Sequence, residues 1–100
     1  MSKGFYFSSR AARQLRNIKA YGLEQWGKQQ SAAYLQKIVE TCRRMAEYPE
    51  LGRIRDEIFP GVRSIAEGSH IIYYRFYGDV IEIIAVLHRR ADPENLARFV

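Results

Sequence analysis

One cysteine, two histidines and three prolines stand among the 100 residues. A lone Cys42 forms no internal disulfide, and one thiol with two imidazoles falls short of the ligand set that a structural zinc site takes. Neither cross-links nor a bound metal is expected, and a single free thiol fits a reducing cytoplasm, the expected location. Long apolar runs are missing as well. Stretches such as Ile83 to Leu87 fall far short of the ~20 residues that span a bilayer, and Lys3 is followed by no signal-like apolar segment. No repeat, low-complexity run or long linker appears. What remains is a chain of 11.7 kDa with 47% hydrophobic, 27% charged and 13% aromatic residues, enough to bury one core and not two. Residues 1–100 are therefore read as one domain.

Charge is unevenly placed. Residues 8–48 carry Arg10, Arg13, Arg16, Lys19, Lys28, Lys37, Arg43 and Arg44 against Glu24, Glu40 and Glu47, which accounts for the formal net charge of +5 of the whole chain. The C-terminal half is close to neutral. Such an excess suits nucleic acid or an acidic protein partner, while each residue taken singly reads as part of a solvated helix surface.

Lys3 to Phe7, with three consecutive aromatics, predicts a short strand. Ser8 or Ser9 then caps a helix whose apolar stripe is Ala11, Leu15, Ile18, Gly22 and Trp26, kept on one side by a turn of about 100° per residue. Gly27 punctuates it. A second stripe, Ala32, Leu35, Ile38, Cys42 and Met45, predicts another helix to about Tyr48, where Pro49 stops it. A loop marked by Pro49, Gly52, Pro60 and Gly61 leads into three β-rich segments, Val62–Glu67, His70–Tyr77 and Val80–His88. Gly68-Ser69 and Gly78-Asp79 separate them as two-residue hairpin turns. A polar tail from Arg89 to Val100 follows, with a last turn after Asp92-Pro93. The expected fold is α+β in the order β-α-α-β-β-β, a helical hairpin packed on a small antiparallel sheet that the N-terminal strand joins at an edge.

Two-residue turns place Glu67 opposite His70 and Tyr77 opposite Val80. Strict alternation then puts Arg63, Ile65, His70, Ile72, Tyr74, Phe76, Ile81, Ile83, Ala85 and Leu87 on one face. Ser64, Ala66, Ile71, Tyr73, Arg75, Tyr77, Val80, Glu82, Ile84, Val86 and His88 fall on the other, with Arg75 across from Glu82. Neither face is polar, and a helical hairpin covers only one. An uncovered apolar face and a partner to cover it are expected. Ile65, Ile72, Ile83 and Leu87, rimmed by Arg63, His70, Arg89 and Arg90, form the candidate partner-binding set.

Chemistry is sparse. On this alternation the two histidines lie on opposite faces and cannot share a metal. His70 beside Glu67 has the make-up of a general base, although a strand-end histidine bonded to a carboxylate is more often structural. The serines sit at caps and turns without a nucleophile elbow, phosphate-binding glycine loops are absent, and Cys42 lies on an apolar stripe as a small hydrophobe. Arg63, His70 and Arg89-Arg90 could converge at one end of the sheet around a phosphate, with a salt-bridged or solvated set as the plainer reading. Aromatics such as Tyr6, Tyr21, Tyr73, Tyr74 and Tyr77 have the faces on which bases stack, although sheet tyrosines usually just pack.

The linear order of Trp26-Gly-Lys-Gln-Gln-Ser-Ala-Ala-Tyr34, Tyr48-Pro-Glu-Leu-Gly52, Asp56-Glu-Ile58, Gly61-Val-Arg63, Gly68-Ser-His-Ile-Ile-Tyr-Tyr-Arg75 and Val86-Leu-His88 resembles the ParE branch of the RelE/ParE superfamily. These are the toxins of bacterial type II toxin–antitoxin pairs, and the likeness covers nearly the whole chain. It implies a toxin without cofactor or catalytic residues that inhibits DNA gyrase by binding it and so blocks replication. It further implies neutralisation by a cognate antitoxin, ParD-like or another small protein, in a hetero-oligomer, with no membrane and no direct nucleic-acid binding required.

The alternative that the same superfamily implies is a RelE-like, ribosome-dependent mRNA endoribonuclease. On that pattern Arg63 takes a lysine position, His70 an arginine position and Arg90 an arginine. Gly61 and Leu96 stand where a second lysine and a tyrosine are expected, so the set is incomplete and the ParE-like reading is preferred. Ala85 stands where ParE relatives commonly carry arginine. A third, plainer expectation is a nucleic-acid-binding accessory domain.

Overall fold

A computed structural model describes residues 4–99; Lys3, the expected start of the first strand, and Val100, the end of the tail, lie outside the described residues. Strand β1 (Phe5–Phe7) is followed by helices α1 (Ser9–Trp26) and α2 (Lys28–Glu47), a 3₁₀ turn at Pro49–Leu51, and strands β2 (Arg53–Ile54), β3 (Arg63–Glu67), β4 (His70–Tyr77) and β5 (Val80–His88). A second 3₁₀ segment spans Pro93–Phe99. The order β-α-α-β-β-β holds with one addition. The two-residue β2 inside the expected loop extends the sheet to five strands in the order β1-β5-β4-β3-β2. The sheet is mixed rather than purely antiparallel, because β1 does join an edge but runs parallel to β5.

Local chemistry explains the elements. Ser8 caps α1, its Oγ accepting from the Ala11 N–H at 3.0 Å, which satisfies one of the free donors of the first turn. Gly27 ends α1 and begins α2 with φ +87°, a value that side-chain-bearing residues rarely adopt. The two helices then lie against each other where Gly22 meets Ser31. A β-carbon at Gly22 would stand 2.7 Å from Ser31 Oγ, and Ser31 is buried while Ala32, the residue expected on that stripe, is exposed.

Helix faces and sheet meet in a core of Ala11, Ile38, Cys42, Met45, Ile72, Tyr74, Ile81, Ile83 and Val86, with Phe5, Phe7, Leu15, Ile18 and Ile65 at its margin. Trp26, at the end of the expected α1 stripe, is 41% exposed.

The register matches the expected Glu67–His70, Tyr77–Val80 and Arg75–Glu82 pairs, and the Arg75–Glu82 ion pair closes at 2.9 Å. Between them lies an irregularity that alternation does not foresee. Tyr73 pairs with Ala85 but Tyr74 with Ile83, leaving Ile84 as the extra residue of a β-bulge.

Helix α1 holds this bulge in place. The Ser8 hydroxyl donates to the Ile84 carbonyl at 2.9 Å, and the Val86 N–H donates to Gln14 Oε1 at 2.7 Å. Beyond the bulge every side chain changes face. Ala85 and Leu87 join Tyr73 and Ile71 on the outer side, whereas Val86 and His88 join Ile72 and His70 beneath the helices.

The outer side is not the uncovered face expected from the sequence. Tyr73, Ile84, Ala85, Val62 and Leu96 form a second core, with Ile58, Ile71 and Leu87 packed against it. The chain itself supplies the cover, from the loop before β3 and from the Pro93–Phe99 segment. Ala85, singled out in the sequence as a departure from the family pattern, is fully buried there and serves as a packing site. What stays open on the sheet is its hairpin end, where Phe76 and Tyr77 are more than half exposed.

Candidate functional site

The sequence-selected residues separate into three places. Arg63 pairs across from Tyr74, whereas His70 pairs with Glu67, four residues further along β3. At ~3.3 Å per residue this is roughly 13 Å. Arg63 is therefore remote from His70 rather than convergent with it. Its guanidinium donates to the carbonyls of Gly52 at 2.9 Å and Glu50 at 3.3 Å, tying down the loop before β2. The same loop is held from below by Tyr74, whose hydroxyl accepts from the Gly52 N–H at 2.7 Å and donates to the Pro49 carbonyl at 2.8 Å.

Ile72 and Ile83 have no exposed surface, enclosed between sheet and helices, and Ile65 packs half-buried at the edge of that core. Leu87 lies on the other side of the sheet with Ile71, turned there by the bulge. The four apolar residues expected to form one partner-facing set are thus divided between two cores. Two of them are closed to any partner.

The third place is the end of the sheet beside the helical hairpin. His70 and His88 are directly paired across β4 and β5, and their rings stand edge to face with centroids 5.7 Å apart. This corrects the expected placement on opposite faces; an extra residue in β5 is the cause. The side chains of the His70–Glu67 strand pair do not bond each other, and Glu67 Oε1 accepts from the Thr41 hydroxyl at 2.7 Å.

His70 instead places Nδ1 2.6 Å from the hydroxyl of Tyr34, on α2. That hydroxyl also donates to the Glu67 carbonyl at 3.1 Å and accepts from the Ser69 N–H at 3.0 Å. When the Tyr34 proton is assigned to the Glu67 carbonyl, His70 donates from a protonated Nδ1 and all three contacts are satisfied. Burial, and to a smaller degree the His88 charge, hold His70 below the ordinary imidazole value. Burial likewise raises the Tyr34 hydroxyl above its ordinary value.

The rings continue outward as a chain. Tyr34 meets Trp26 at 5.9 Å and Trp26 meets Tyr21 at 6.0 Å, both edge to face. Next to them a cavity of about 480 Å³ is lined by Asn17, Ile18, Tyr21, Trp26, Ser69, His70 and His88. Sequence reasoning singled out His70 and Tyr21, set His88 on the wrong face, and missed Asn17, Ser69 and the Tyr34 contact. Tyr34 and Trp26 bracket the Trp26–Tyr34 stretch already noted, but nothing in a run of isoleucines marks where a strand will bulge.

Arg89 and Arg90 follow β5 at the same end of the sheet. The Arg89 guanidinium donates to the Gly68 carbonyl at 2.7 Å, and the Arg90 N–H donates to His88 Nδ1 at 3.2 Å. Both are exposed.

Other chemistry is limited. Burial pushes the Cys42 thiol up to about 12, which leaves it without thiolate character. Among the described residues no three His, Cys, Asp or Glu side chains cluster as a metal site, and no helix is long and apolar enough to cross a membrane.

The family model for the ParE toxin of the type II toxin–antitoxin system parDE matches residues 5–93. Toxin ParE1 of Mycobacterium tuberculosis is 37% identical over 96 residues, covering 95% of this chain and 98% of the relative. Toxin ParE1 of Caulobacter vibrioides is 37% identical over 87 residues, covering 87% and 90%. Among solved structures, the chromosomal ParDE system from P. aeruginosa superposes with a TM-score of 0.73 at 22% identity, over 85% of this chain and 94% of that one. The toxin–antitoxin complex RelBE2 from Mycobacterium tuberculosis gives 0.63 at 21% identity, over 89% and 100%. With the order of elements, the two helices on the sheet and these relatives in agreement, the chain belongs to the ParE family of type II toxin–antitoxin toxins.

Proposed function

We propose that this toxin acts by binding rather than by catalysis. On this reading it lodges on DNA gyrase, stalls replication, and is held inactive by a cognate antitoxin in a hetero-oligomer within the cytoplasm. The observation that carries the non-enzymatic part is the separation of Arg63 from His70 along β3. A nuclease acting without metal needs its cations and its acid and base gathered on one scissile phosphate, and roughly 13 Å of strand keeps Arg63 away from the end where His70 and Arg90 lie. Arg63 is moreover engaged by two loop carbonyls.

An antitoxin partner is supported by the company the fold keeps, since both solved relatives come from toxin–antitoxin systems. It is supported as well by the basic excess on the two helices, which suits an acidic segment. Ile72 and Ile83 do not belong to that interface, because they are core. The accessible members of the expected set, Arg89 and Arg90, together with exposed Trp26, Tyr21 and Leu23 on the helical hairpin, remain as partner contacts.

The test is a supercoiling assay with purified toxin and purified gyrase, run beside a translation assay with transcript mapping. Inhibited supercoiling that is relieved by the co-encoded antitoxin is the expected result. Intact gyrase activity together with cleaved transcripts would overturn the proposal in favour of the endoribonuclease.

A further inference from the structure

The cavity at the end of the helical hairpin shares Trp26 and Tyr21 with the exposed surface offered to a partner, but its polar groups, Asn17, Ser69, His70 and His88, have no part in that reading. Its apolar lining is Ile18, Tyr21 and Trp26, the two aromatic rings edge to face so that a planar ligand meets the face of one and the edge of the other. No Lys, Arg, Asp or Glu lines it. The nearby Arg89 guanidinium is held by the Gly68 carbonyl at 2.7 Å. A cation would meet no carboxylate there and an anion only the guanidinium at the rim, so the lining itself favours an uncharged ligand.

The hydrogen-bonding pattern narrows the class. His70 donates from Nδ1 to Tyr34, which does not line the cavity, so its neutral ring offers the cavity the lone pair of Nε2. His88 accepts at Nδ1 from the Arg90 N–H, so its neutral ring carries the proton on Nε2. These assignments follow from the partners of the other nitrogens. The two rings, 5.7 Å apart at their centroids, thus present one acceptor beside one donor, and the Asn17 amide adds one of each. One aromatic face takes the face of a planar ring, while a paired acceptor and donor match an edge on which a donor and an acceptor atom are neighbours. At about 480 Å³ the space is of the size that small-molecule sites have.

We propose that this cavity binds a nucleobase, as the free nucleoside, by holding its planar ring against Trp26 and Tyr21 and its donor–acceptor edge against His70 and His88. The base edge carries recognition, and the sugar lies toward the open side.

Trp26 is the one tryptophan in the chain and reports directly. Purified full-length toxin is titrated with adenosine, guanosine, cytidine and uridine at neutral pH. Binding is followed by Trp26 fluorescence and by the shifts of its indole N–H in the NMR spectrum. Saturable binding of at least one nucleoside is expected, with ribose alone inert and the matching nucleoside monophosphate bound no more tightly.

His88→Phe keeps an aromatic ring at an exposed position and removes the donor, so it should weaken binding about tenfold, the effect of one lost hydrogen bond. Thermal melting confirms that the variant is folded. No saturable change up to millimolar nucleoside overturns the proposal. So does indole binding as tightly as any nucleoside, which would make the cavity an apolar recess, or inorganic phosphate competing for it, which would make it an anion site. A folded His88→Phe protein with unchanged affinity overturns the assigned donor.

Discussion

Replacing Tyr74 by phenylalanine removes one oxygen atom and tests whether the loop before β2 is locked from inside the core. The Tyr74 ring is 1% exposed, and its hydroxyl stands between the Gly52 N–H at 2.7 Å and the Pro49 carbonyl at 2.8 Å, both contacts buried. Phenylalanine fills the same space, so no cavity term of consequence arises. What changes is that one donor and one acceptor lose their partner away from water. At about 1–3 kcal/mol for each unsatisfied group, Tyr74→Phe should lower stability by roughly 3 kcal/mol, with the low end reached if one group finds water. For a domain of this size each kcal/mol moves the midpoint by about 4–8 °C, so a fall of roughly 12–24 °C is expected in a circular-dichroism melt.

Arg63→Ala provides the comparison. It releases the same loop from its exposed side, where solvent replaces the lost bonds, and should cost about 1 kcal/mol. A Tyr74→Phe protein within about 0.5 kcal/mol of the parent would show that the loop closes equally well on itself, and the reasoning about Arg63 as a loop tie would fall with it.

Disruption of the bulge should be as costly as loss of the lock. Gln14→Leu leaves the Val86 N–H without the acceptor it meets at 2.7 Å and should destabilise by about 1–3 kcal/mol, read by chemical denaturation; an unchanged midpoint would mean that Gln14 is ornamental. Gly68→Ala asks a residue with a side chain to adopt φ +57°, and its β-carbon would stand 2.5 Å from the Tyr34 ring. The backbone alone costs roughly 1–2 kcal/mol, and displacement of Tyr34 should also broaden the His70 ring signals in the NMR spectrum.

Because His70 is held below its ordinary value of 6.5, the unfolded chain binds this proton more readily than the native one. Stability from this group is complete above that value and is lost as pH falls through it toward the native pKa. His70→Gln should flatten that acid limb, and a variant with the parent's pH dependence would refute the assignment. Cys42, raised to about 12 by burial, should resist thiol reagents at mildly alkaline pH and react at once in denaturant, as followed by mass spectrometry.

How far the chain could be read before folding is plainest in β4 and β5. Their limits, both hairpin turns and the Arg75–Glu82 pair follow from local features. Alternating strand formers set the length, and a glycine that accepts positive φ sets each turn. The Ser8 cap and the stop at Pro49 are local in the same sense. The partner-facing set failed for a reason no local feature carries. A bulge at Ile84 depends on Ser8, the cap of α1, and on Gln14 within it arriving to take the backbone groups it frees. In a run of apolar residues one extra position alters no hydrophobic pattern, but it inverts every face beyond it.

The linear sequence determined the order of the main elements and the basic helical half, since both are written in composition or in short-range spacing, and the resemblance of its motifs pointed to the toxin family. Folding in three dimensions decided which faces are covered. The Leu96 segment and the loop around Val62 close over a side of the sheet that its own composition would leave open. Folding likewise brought His88 and Tyr34 to His70 and carried Arg63 away from it. Distances between residues remote in sequence are set by the competition of whole surfaces for burial, and that competition has no local signature.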